Sequence, residues 1–302
     1  MTSILITGSN GLLGQKLLDK LRNHPEVRLI ATARGTNRYP HPDGYWYDTM
    51  DITDESAIEK VFAKHKPQHI IHTAAMTNVD ACETDKEGAL KQNVEAVEKL
   101  VRQCNAIDAH FIHLSTDFIF DGENGPYDEE AEPNPLSFYA ETKLLAEELV
   151  RNNSKSWAIL RTVLVYGVVH DMSRSNIVLW AKKSLEEGKK INVVDDQFRT
   201  PTLAEDLAEG CILAAFKNAQ GIYNISGNDF MSIFQLVETV ANFWGLDKTL
   251  ISRSKSSTLN QPAKRPPITG FILTKAMEDL GYKPHSFIEG LKIVDEQLKS
   301  GI

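Results

Sequence analysis

Short apolar runs alternate with longer segments of helical periodicity through the first half of this 302-residue chain. The apolar runs predict strands at residues 3–7, 27–33, 69–74, 110–115 and 158–165. The helical periodicity predicts helices at residues 11–21, 51–64, 87–104 and 136–150. Because helices of this length return the chain to the start of the next strand, the sheet should be parallel with helices on both faces. The predicted fold class is therefore α/β, with a doubly wound parallel sheet.

The second half of the chain is less regular and predicts a smaller, mostly helical lobe. Helix-like segments joined by irregular stretches lie at residues 176–187, 203–216 and 233–244. A short strand near residues 221–225 is expected to return to the main sheet. Residues 252–267 are rich in Ser, Lys and Pro, which is typical of a surface loop or lid. We therefore predict two domains, residues 1–165 and 166–302.

Composition disfavours several classes of partner. The net charge is −8, from 33 basic and 41 acidic residues, whereas nucleic acids and anionic membranes attract basic surfaces. We therefore expect neither as a partner.

Cys82, Cys104 and Cys211 form no C-x-x-C pair, so they are interpreted as buried thiols in a reducing compartment. No signal peptide or membrane-spanning run is apparent, and the expected location is the cytoplasm.

A glycine-rich segment joins the first predicted strand to the first helix. Gly8, Gly11 and Gly14 have the spacing G-x-x-G-x-x-G, which differs from the commoner G-x-G-x-x-G. Glycines at such a junction permit a tight turn, a close approach to a pyrophosphate and close packing of helix on sheet. The helix N-terminus adds N–H groups and the positive end of its dipole. Residues 1–165 are therefore predicted to be an NAD(P)-binding Rossmann domain.

The end of the second strand bears on which dinucleotide is bound. NAD-binding domains of this kind carry an acidic residue here, which binds the ribose hydroxyls. This chain instead has Arg34, with Arg38 nearby. An arginine can pair with a 2′-phosphate through two hydrogen bonds, although a solvated loop arginine would look the same in sequence. We predict NADPH as the cofactor, with NADH as the alternative.

Tyr139 and Lys143 are four residues apart in the helix predicted after the breaker Pro133-Asn134-Pro135, so they share one helix face. A tyrosine with its ordinary pKa near 10 is poorly matched to proton transfer at pH 7, and a nearby cation favours the phenolate. Thr116 ends a strand, at the edge where open parallel sheets bind ligands, and would hydrogen-bond a carbonyl that Tyr139 protonates. Asp117 is interpreted either as an acceptor for a substrate hydroxyl or as a strand cap.

With these residues in place, the chain resembles the extended short-chain dehydrogenase/reductases, and among them the dTDP-4-dehydrorhamnose reductases. The latter reduce a 4-keto nucleotide sugar. The glycine loop and the Tyr/Lys pair are typical of the whole superfamily, whereas two other segments point to the reductase branch. These two are Ser115-Thr-Asp-Phe-Ile-Phe-Asp-Gly122 and Asp195-Asp-Gln-Phe-Arg-Thr-Pro-Thr202. Further matches, spread over essentially the whole chain, are Asp51-Ile-Thr-Asp54, His72-Thr-Ala-Ala75, Val79-Asp-Ala-Cys-Glu83, Gln92-Asn-Val94 and Arg265-Pro266.

The resemblance implies a role for each matching residue. The catalytic set would be Thr116, Tyr139 and Lys143. Together with Arg34, the residues that bind the cofactor would be Gly8, Asn10, Gly11, Leu12, Gly14, Asp51, Ile52, Ala74, Ala75, Asn93, Tyr139 and Lys143. The nucleotide-sugar substrate would contact Thr77, Val79, Asp117 and Arg199, and no metal site is expected.

Three positions depart from related sequences and refine the implied reaction. Ala140 and Arg199 stand where the family often has glycine, and Arg199 lies in the substrate half. Phe118 stands where the related dehydratases carry a second acid, and it has no proton to transfer, which disfavours dehydration. The predicted activity is hydride transfer from NADPH to the C4 ketone of a nucleotide-linked deoxy sugar. Tyr139 would be the general acid, supported by Lys143 and Thr116.

Two alternative functions remain open at this stage. One is a nucleotide-sugar epimerase with tightly bound NAD, against which Arg34 argues. The other is a non-catalytic regulatory subunit on the same fold, such as the β subunit that partners methionine adenosyltransferase. A homodimer through the helices at 87–104 and 136–150 would be typical of the superfamily. His65, His69 and His72 have metal-like spacing, but the second and third are interpreted as part of a buried strand.

Overall fold

The computed structural model describes residues 1–172, 175–258 and 261–301. The first half contains strands β1 (Thr2–Thr7), β2 (Val27–Ala33), β3 (Trp46–Thr49), β4 (His69–His72), β5 (His110–Thr116) and β6 (Trp157–Thr162). The second half contains β7 (Val165–Tyr166), β8 (Ile191–Val194), β9 (Phe198–Arg199), β10 (Thr202–Leu203), β11 (Gly221–Asn224), β12 (Met231–Ser232) and β13 (Ile251–Ser254). Seven of these form one parallel sheet in the order β11-β6-β5-β4-β1-β2-β3. The predicted doubly wound parallel sheet is confirmed.

Helices cover both faces of this sheet. They are α1 (Leu12–Leu21), α2 (Glu55–His65), α3 (Val79–Thr84), α4 (Lys86–Leu90), α5 (Ala96–Ala106), α6 (Phe138–Asn153), α7 (Ile177–Glu186), α8 (Ala204–Phe216), α9 (Ile233–Trp244) and α10 (Phe287–Ser300). One core cluster joins α1 and α8 to residues such as Ile4 and Ile6 of β1. A second joins α2, α5 and α6 to Leu5, whose side chain points to the opposite face. The strands read as continuously apolar because both faces are covered.

A third hydrophobic cluster lies away from the sheet and holds the second half together. It is built from α7, α9 and α10, with Val178, Leu236 and Leu291 fully buried. The second half also supplies α8 and β11 to the sheet layers, and β11 pairs with β6. The division between residues 1–165 and 166–302 stays a prediction. No helix among the described residues is long and apolar enough to cross a membrane.

The start of α6 is set by local chemistry, and it positions the residues of interest. Ser137 caps the helix, and its side chain accepts a hydrogen bond from the backbone N–H of Ala140. Pro133 and Pro135 lie just before this cap and disfavour helix in the residues that precede them, so the helix begins at Phe138. Tyr139 therefore lies in the first turn, and Lys143 lies one turn later.

Two segments differ from the sequence-based expectation. The helix predicted at 87–104 is interrupted by a π-helical segment, Lys91–Glu95, and the buried side chain of Asn93 in this segment hydrogen-bonds the backbone of Met76. The loop predicted at 252–267 begins with β13, which pairs in parallel with β8. Propensity misses this strand because Ser252 and Arg253 are exposed, so the strand is held by main-chain pairing rather than by burial.

A buried ion pair between α6 and β6 offers a stability test. Arg161 donates to Glu147 Oε1 at 3.1 Å and Oε2 at 2.8 Å, and both side chains are at most 2% exposed. Arg161→Met leaves a buried carboxylate without its partner, so we expect a loss of about 3–5 kcal/mol in the free energy of unfolding. Urea denaturation measures this loss. The exposed pair of Arg102 and Glu55 is the control, and Arg102→Met should cost under ~1 kcal/mol. Equal losses in the two variants would contradict the assignment.

Candidate active site

A cavity of about 1170 Å³ opens at the carboxyl edge of the sheet. The chain leaves β1 toward β2 on one side and continues to β4 on the other, and such a switch point leaves a crevice for a ligand. Most residues predicted for the site line this one cavity. They are Gly8, Asn10, Gly11, Leu12, Arg34, Asp51, Ile52, Ala74, Ala75, Thr77, Val79, Thr116, Asp117, Tyr139, Lys143 and Arg199. Gly14 and Asn93 do not line it.

The glycine loop packs too closely for larger residues. Gly8 has a φ of +71°, and a Cβ there would lie 2.9 Å from the backbone of Ala74. A Cβ on Gly14 would lie 2.4 Å from the carbonyl oxygen of Gly8, so Gly14 permits the packing of the loop rather than contact with a ligand. Helix α1 begins at Leu12 with no side-chain cap, which leaves its first N–H groups for an anion. These features fit a dinucleotide pyrophosphate.

Beside the glycine loop, Asn10 organises the segment after β2. Its Nδ2 donates to the carbonyl oxygen of Thr36 at 2.9 Å, and its Oδ1 accepts from the N–H of Arg38 at 2.9 Å. The side chain of Asn10 therefore fixes this segment against the loop. Arg34 is exposed and lines the cavity at the end of β2. On the same rim, Asp51 accepts two hydrogen bonds from Thr53, each 2.9 Å long, and so shapes the turn that precedes α2.

Thr116, Tyr139 and Lys143 all line the cavity, and Tyr139 is hydrogen-bonded to Thr116. Tyr139 is 9% exposed, and this burial raises the pKa of its phenol above the ordinary value, with a hydrogen bond to Thr116 opposing the rise. The sequence argument expected Lys143 to lower this pKa. The direction is opposite because burial outweighs the other influences. Tyr139 therefore holds its proton at neutral pH, as a general acid must.

Among the residues that the structure describes, the ammonium of Lys143 has two hydrogen-bonding neighbours. It donates to the carbonyl oxygen of Leu114 at 2.6 Å and lies 3.3 Å from Nε2 of His113. Burial lowers the pKa of Lys143 to about 8, although Glu147 acts in the opposite direction. Sequence reasoning missed His113. The sequence did hold one signal for it, since His113 lies three residues before Thr116 in a strand that was itself predicted.

Asp117 and Arg199 form a buried pair at the cavity wall. Oδ2 of Asp117 accepts from Thr269 and lies 3.6 Å from Nε of Arg199. The guanidinium donates to the carbonyl oxygens of Pro266 at 2.7 Å and Pro267 at 3.1 Å. Burial raises the pKa of Asp117, and Arg199 opposes that rise. Both residues line the cavity, but their polar atoms bind each other and the loop that carries Thr269.

Asn93 acts one layer behind the cavity. Its Oδ1 accepts from the N–H of Met76 at 2.8 Å, and its Nδ2 donates to Thr142 at 3.1 Å. It thereby fixes the segment that carries Ala75 and Thr77 against α6. The second half adds lining residues that sequence reasoning did not single out as ligands, because they come from scattered loops and short strands. They include Trp180, Asn192, Gln197, Gln261 and Arg265.

The match to a family model decides which family this is. A model described as the RmlD substrate binding domain matches residues 1–299. The chain belongs to the RmlD substrate-binding family. Its fold and family indicate an NAD(P)-dependent oxidoreductase of the extended short-chain dehydrogenase/reductase type. The predicted resemblance to this family is confirmed.

Relatives within the comparison have different roles. The chain is 28% identical over 293 residues to the spore coat polysaccharide biosynthesis protein SpsK of Bacillus subtilis (strain 168), covering 97% of this chain and 96% of SpsK. It is 32% identical over 248 residues to methionine adenosyltransferase 2 subunit beta of Xenopus tropicalis, covering 80% of this chain and 72% of that protein. A crystal structure of a dTDP-4-dehydrorhamnose reductase from Clostridium acetobutylicum ATCC 824 matches with a TM-score of 0.85 and 28% identity, covering 99% and 100% of the two chains.

Burial of Lys143 predicts a pH-dependent contribution to stability. Its pKa is about 8 in the folded protein and 10.5 ordinarily, so between these values only the unfolded lysine retains its proton. Raising the pH in this window therefore favours the folded state by roughly 1 kcal/mol per pH unit, relative to Lys143→Met. Urea midpoints of both proteins at pH 7.5, 8.5 and 9.5 measure the difference. Parallel curves for the two proteins would show that the folded lysine keeps its ordinary pKa.

Proposed function

We propose that this protein reduces the C4 ketone of a nucleotide-linked deoxy sugar, using NADPH. The observation that carries the proposal is the shared cavity, in which Thr116, Tyr139 and Lys143 face the same space as the glycine loop. The SpsK relative and the solved dehydrorhamnose reductase support a sugar-nucleotide substrate. The volume of the cavity leaves room for both a dinucleotide and a substrate.

The chain's own groups suit the binding of a reduced nicotinamide dinucleotide. The N–H groups at the start of α1 and the glycine loop would bind its pyrophosphate, and Gly14 allows the loop to pack closely enough for this. Arg34 would bind a 2′-phosphate, and Asp51 with Ile52 would flank the adenine. When bound, the dinucleotide supplies the hydride. Ala74 and Ala75 would line the path to the reacting end.

The catalytic residues act on the substrate ketone. Tyr139, which is protonated at neutral pH, donates its proton to the oxygen as negative charge develops there. Thr116 holds the same oxygen through its hydroxyl group and keeps it close to the phenol. Lys143 lines the same cavity, and its positive charge would stabilise the phenolate that remains. Asp117 and Arg199, with Thr77 and Val79, form the adjoining wall on the side of the sugar.

The substrate nucleotide would extend into the second half of the chain. The cavity is also lined by Trp180, Asn192 and Arg265, all of which belong to residues 166–302. Arg265 is paired with Asp80 at 2.7 Å, so this ion pair, like that of Asp117 and Arg199, joins the two predicted domains beside the cavity. This arrangement supports the assignment of residues 166–302 as a substrate-binding lobe.

Tyr139→Phe tests the proposed general acid. Removing the hydroxyl group leaves no proton donor, so kcat should fall about 10²- to 10⁴-fold, while the Kd for NADPH stays within about twofold. The assay is NADPH oxidation with a panel of nucleotide 4-keto sugars, with NADH as the paired control. Near-normal turnover by Tyr139→Phe would remove the tyrosine from the mechanism. A wild-type protein that reduces no member of the panel would favour the regulatory role suggested by the subunit beta relative.

Arg34→Asp tests the choice of cofactor. An aspartate would repel the 2′-phosphate and would bind the ribose hydroxyls of NADH, so the ratio of kcat/KM for NADPH to that for NADH should fall at least about tenfold. Steady-state kinetics with each cofactor measures the ratio. Arg102→Asp carries the same charge change on α5, outside the cavity, and should leave the ratio unchanged. An unchanged ratio in Arg34→Asp would exclude Arg34 as the 2′-phosphate ligand.

A further inference from the structure

A row of polar residues crosses the sheet directly beneath the proposed catalytic lysine. Thr7 of β1 is in register with His72 of β4, and His72 is in register with His113 of β5. All three are at most 2% exposed. Thr7 Oγ1 lies 2.8 Å from His72 Nδ1, and the rings of His72 and His113 stack at 5.7 Å. The row ends at Lys143, whose Nζ lies 3.3 Å from His113 Nε2.

The chemistry of this contact fixes the state of His113. An ammonium has three donors and no acceptor, so Nε2 of His113 must offer its lone pair, and the proton of the neutral ring must be on Nδ1. Burial, and then the charge of Lys143, lower the pKa of His113, which keeps the ring neutral. The carbonyl oxygen of Leu114 takes a second N–H of the ammonium. One N–H therefore remains for the cavity.

We propose that His113 is a positioning residue, which holds Lys143 as an ammonium and directs its remaining N–H into the cavity. The proposal rests on the proposed function wherever turnover is measured. His113 does not line the cavity, so it acts through Lys143 and not on the substrate. A buried ammonium needs hydrogen-bond acceptors that water would supply at the surface, and the imidazole of His113 is one such acceptor.

The other titratable groups near Lys143 do not replace this acceptor. On its own helix these are Tyr139 and Glu147, and on the sheet His72 and His113. Glu147 favours the ammonium through its charge, but both of its oxygens bind Arg161. Without the imidazole, the carbonyl oxygen of Leu114 would be the one acceptor left to the ammonium within the described part of the chain. The ammonium should then lose its proton at a lower pH.

The same two strands provide a matched control. His69 of β4 is in register with His110 of β5, three residues before the pair His72 and His113. His69 and His110 are also buried, and their rings are 5.8 Å apart. His110 bonds Ser156 at 2.9 Å and does not line the cavity. A substitution at His110 therefore disturbs the core similarly, without touching Lys143.

The first test is the pH profile of kcat for wild type, His113→Phe, His113→Gln and His110→Phe. In wild type the alkaline limb, where kcat falls, should lie near pH 8, as Lys143 loses its proton. His113→Phe should move this limb down by at least about one pH unit and lower kcat about tenfold at pH 7.5. His113→Gln retains an oxygen acceptor and should bring the limb back toward the wild-type position. His110→Phe should leave the limb where it is.

The second test needs neither cofactor nor substrate. Urea midpoints are measured from pH 6.5 to 9.5 for each of these proteins, with and without Lys143→Met. The pH at which Lys143 begins to favour the folded state should fall in His113→Phe, while His110→Phe should match wild type. If wild type reduces no ketone, the proposed function fails, and the urea series still decides the role of His113. If His113→Phe fails to fold, His113→Asn and His113→Gln are compared in its place. Both offer an oxygen acceptor, but that of asparagine lies on a shorter side chain. An alkaline limb and a urea profile that stay at the wild-type position in His113→Phe would overturn the proposal.

Discussion

The order of the parallel strands is the constraint on which the rest of this structure depends. Because β1 and β4 are neighbours while the chain between them visits β2 and β3, a crevice opens where β1 and β4 end. Gly8 crosses that crevice so closely that a Cβ there would lie 2.9 Å from the backbone of Ala74. The part of the cavity between β1 and β4 is therefore shaped by main-chain packing. Side chains from other elements line the rest of the cavity and determine which ligand it can bind.

Burial of this crevice acts on the two main proton-bearing groups in opposite ways. It raises the pKa of Tyr139, which is neutral when protonated, and it lowers the pKa of Lys143, which is charged when protonated. The same low-polarity wall thus keeps the phenol protonated and makes the lysine proton easier to lose. A site of this kind depends on the acceptors placed around the ammonium. The carbonyl of Leu114 and the ring of His113 are those that the sheet supplies.

How far the sequence could predict this site depends on how local each feature is. The glycine loop, the start of α6 and the spacing of Tyr139 and Lys143 are set within a few residues, so pattern and capping rules place them. The sequence argument expected a lowered pKa for Tyr139, and this was wrong because burial raises it. Helix spacing shows which residues are near one another but not how deeply they are buried. The hydrogen bonds of Asn93, in the π-helical segment, to Met76 were missed because they join residues 17 positions apart and have no local sequence signal.

The pair of Asp117 and Arg199 shows why the substrate side is the harder part to predict. Asp117 follows β5, whereas Arg199 lies in β9, and the loop that carries Thr269 holds both. Sequence reasoning left Asp117 open as a hydroxyl acceptor or a cap, since it could not see an arginine from the other half. Because Arg199 and Thr269 both contact it, this carboxylate is already partnered. A ligand hydroxyl that approached Asp117 would therefore have to compete with Arg199 and Thr269.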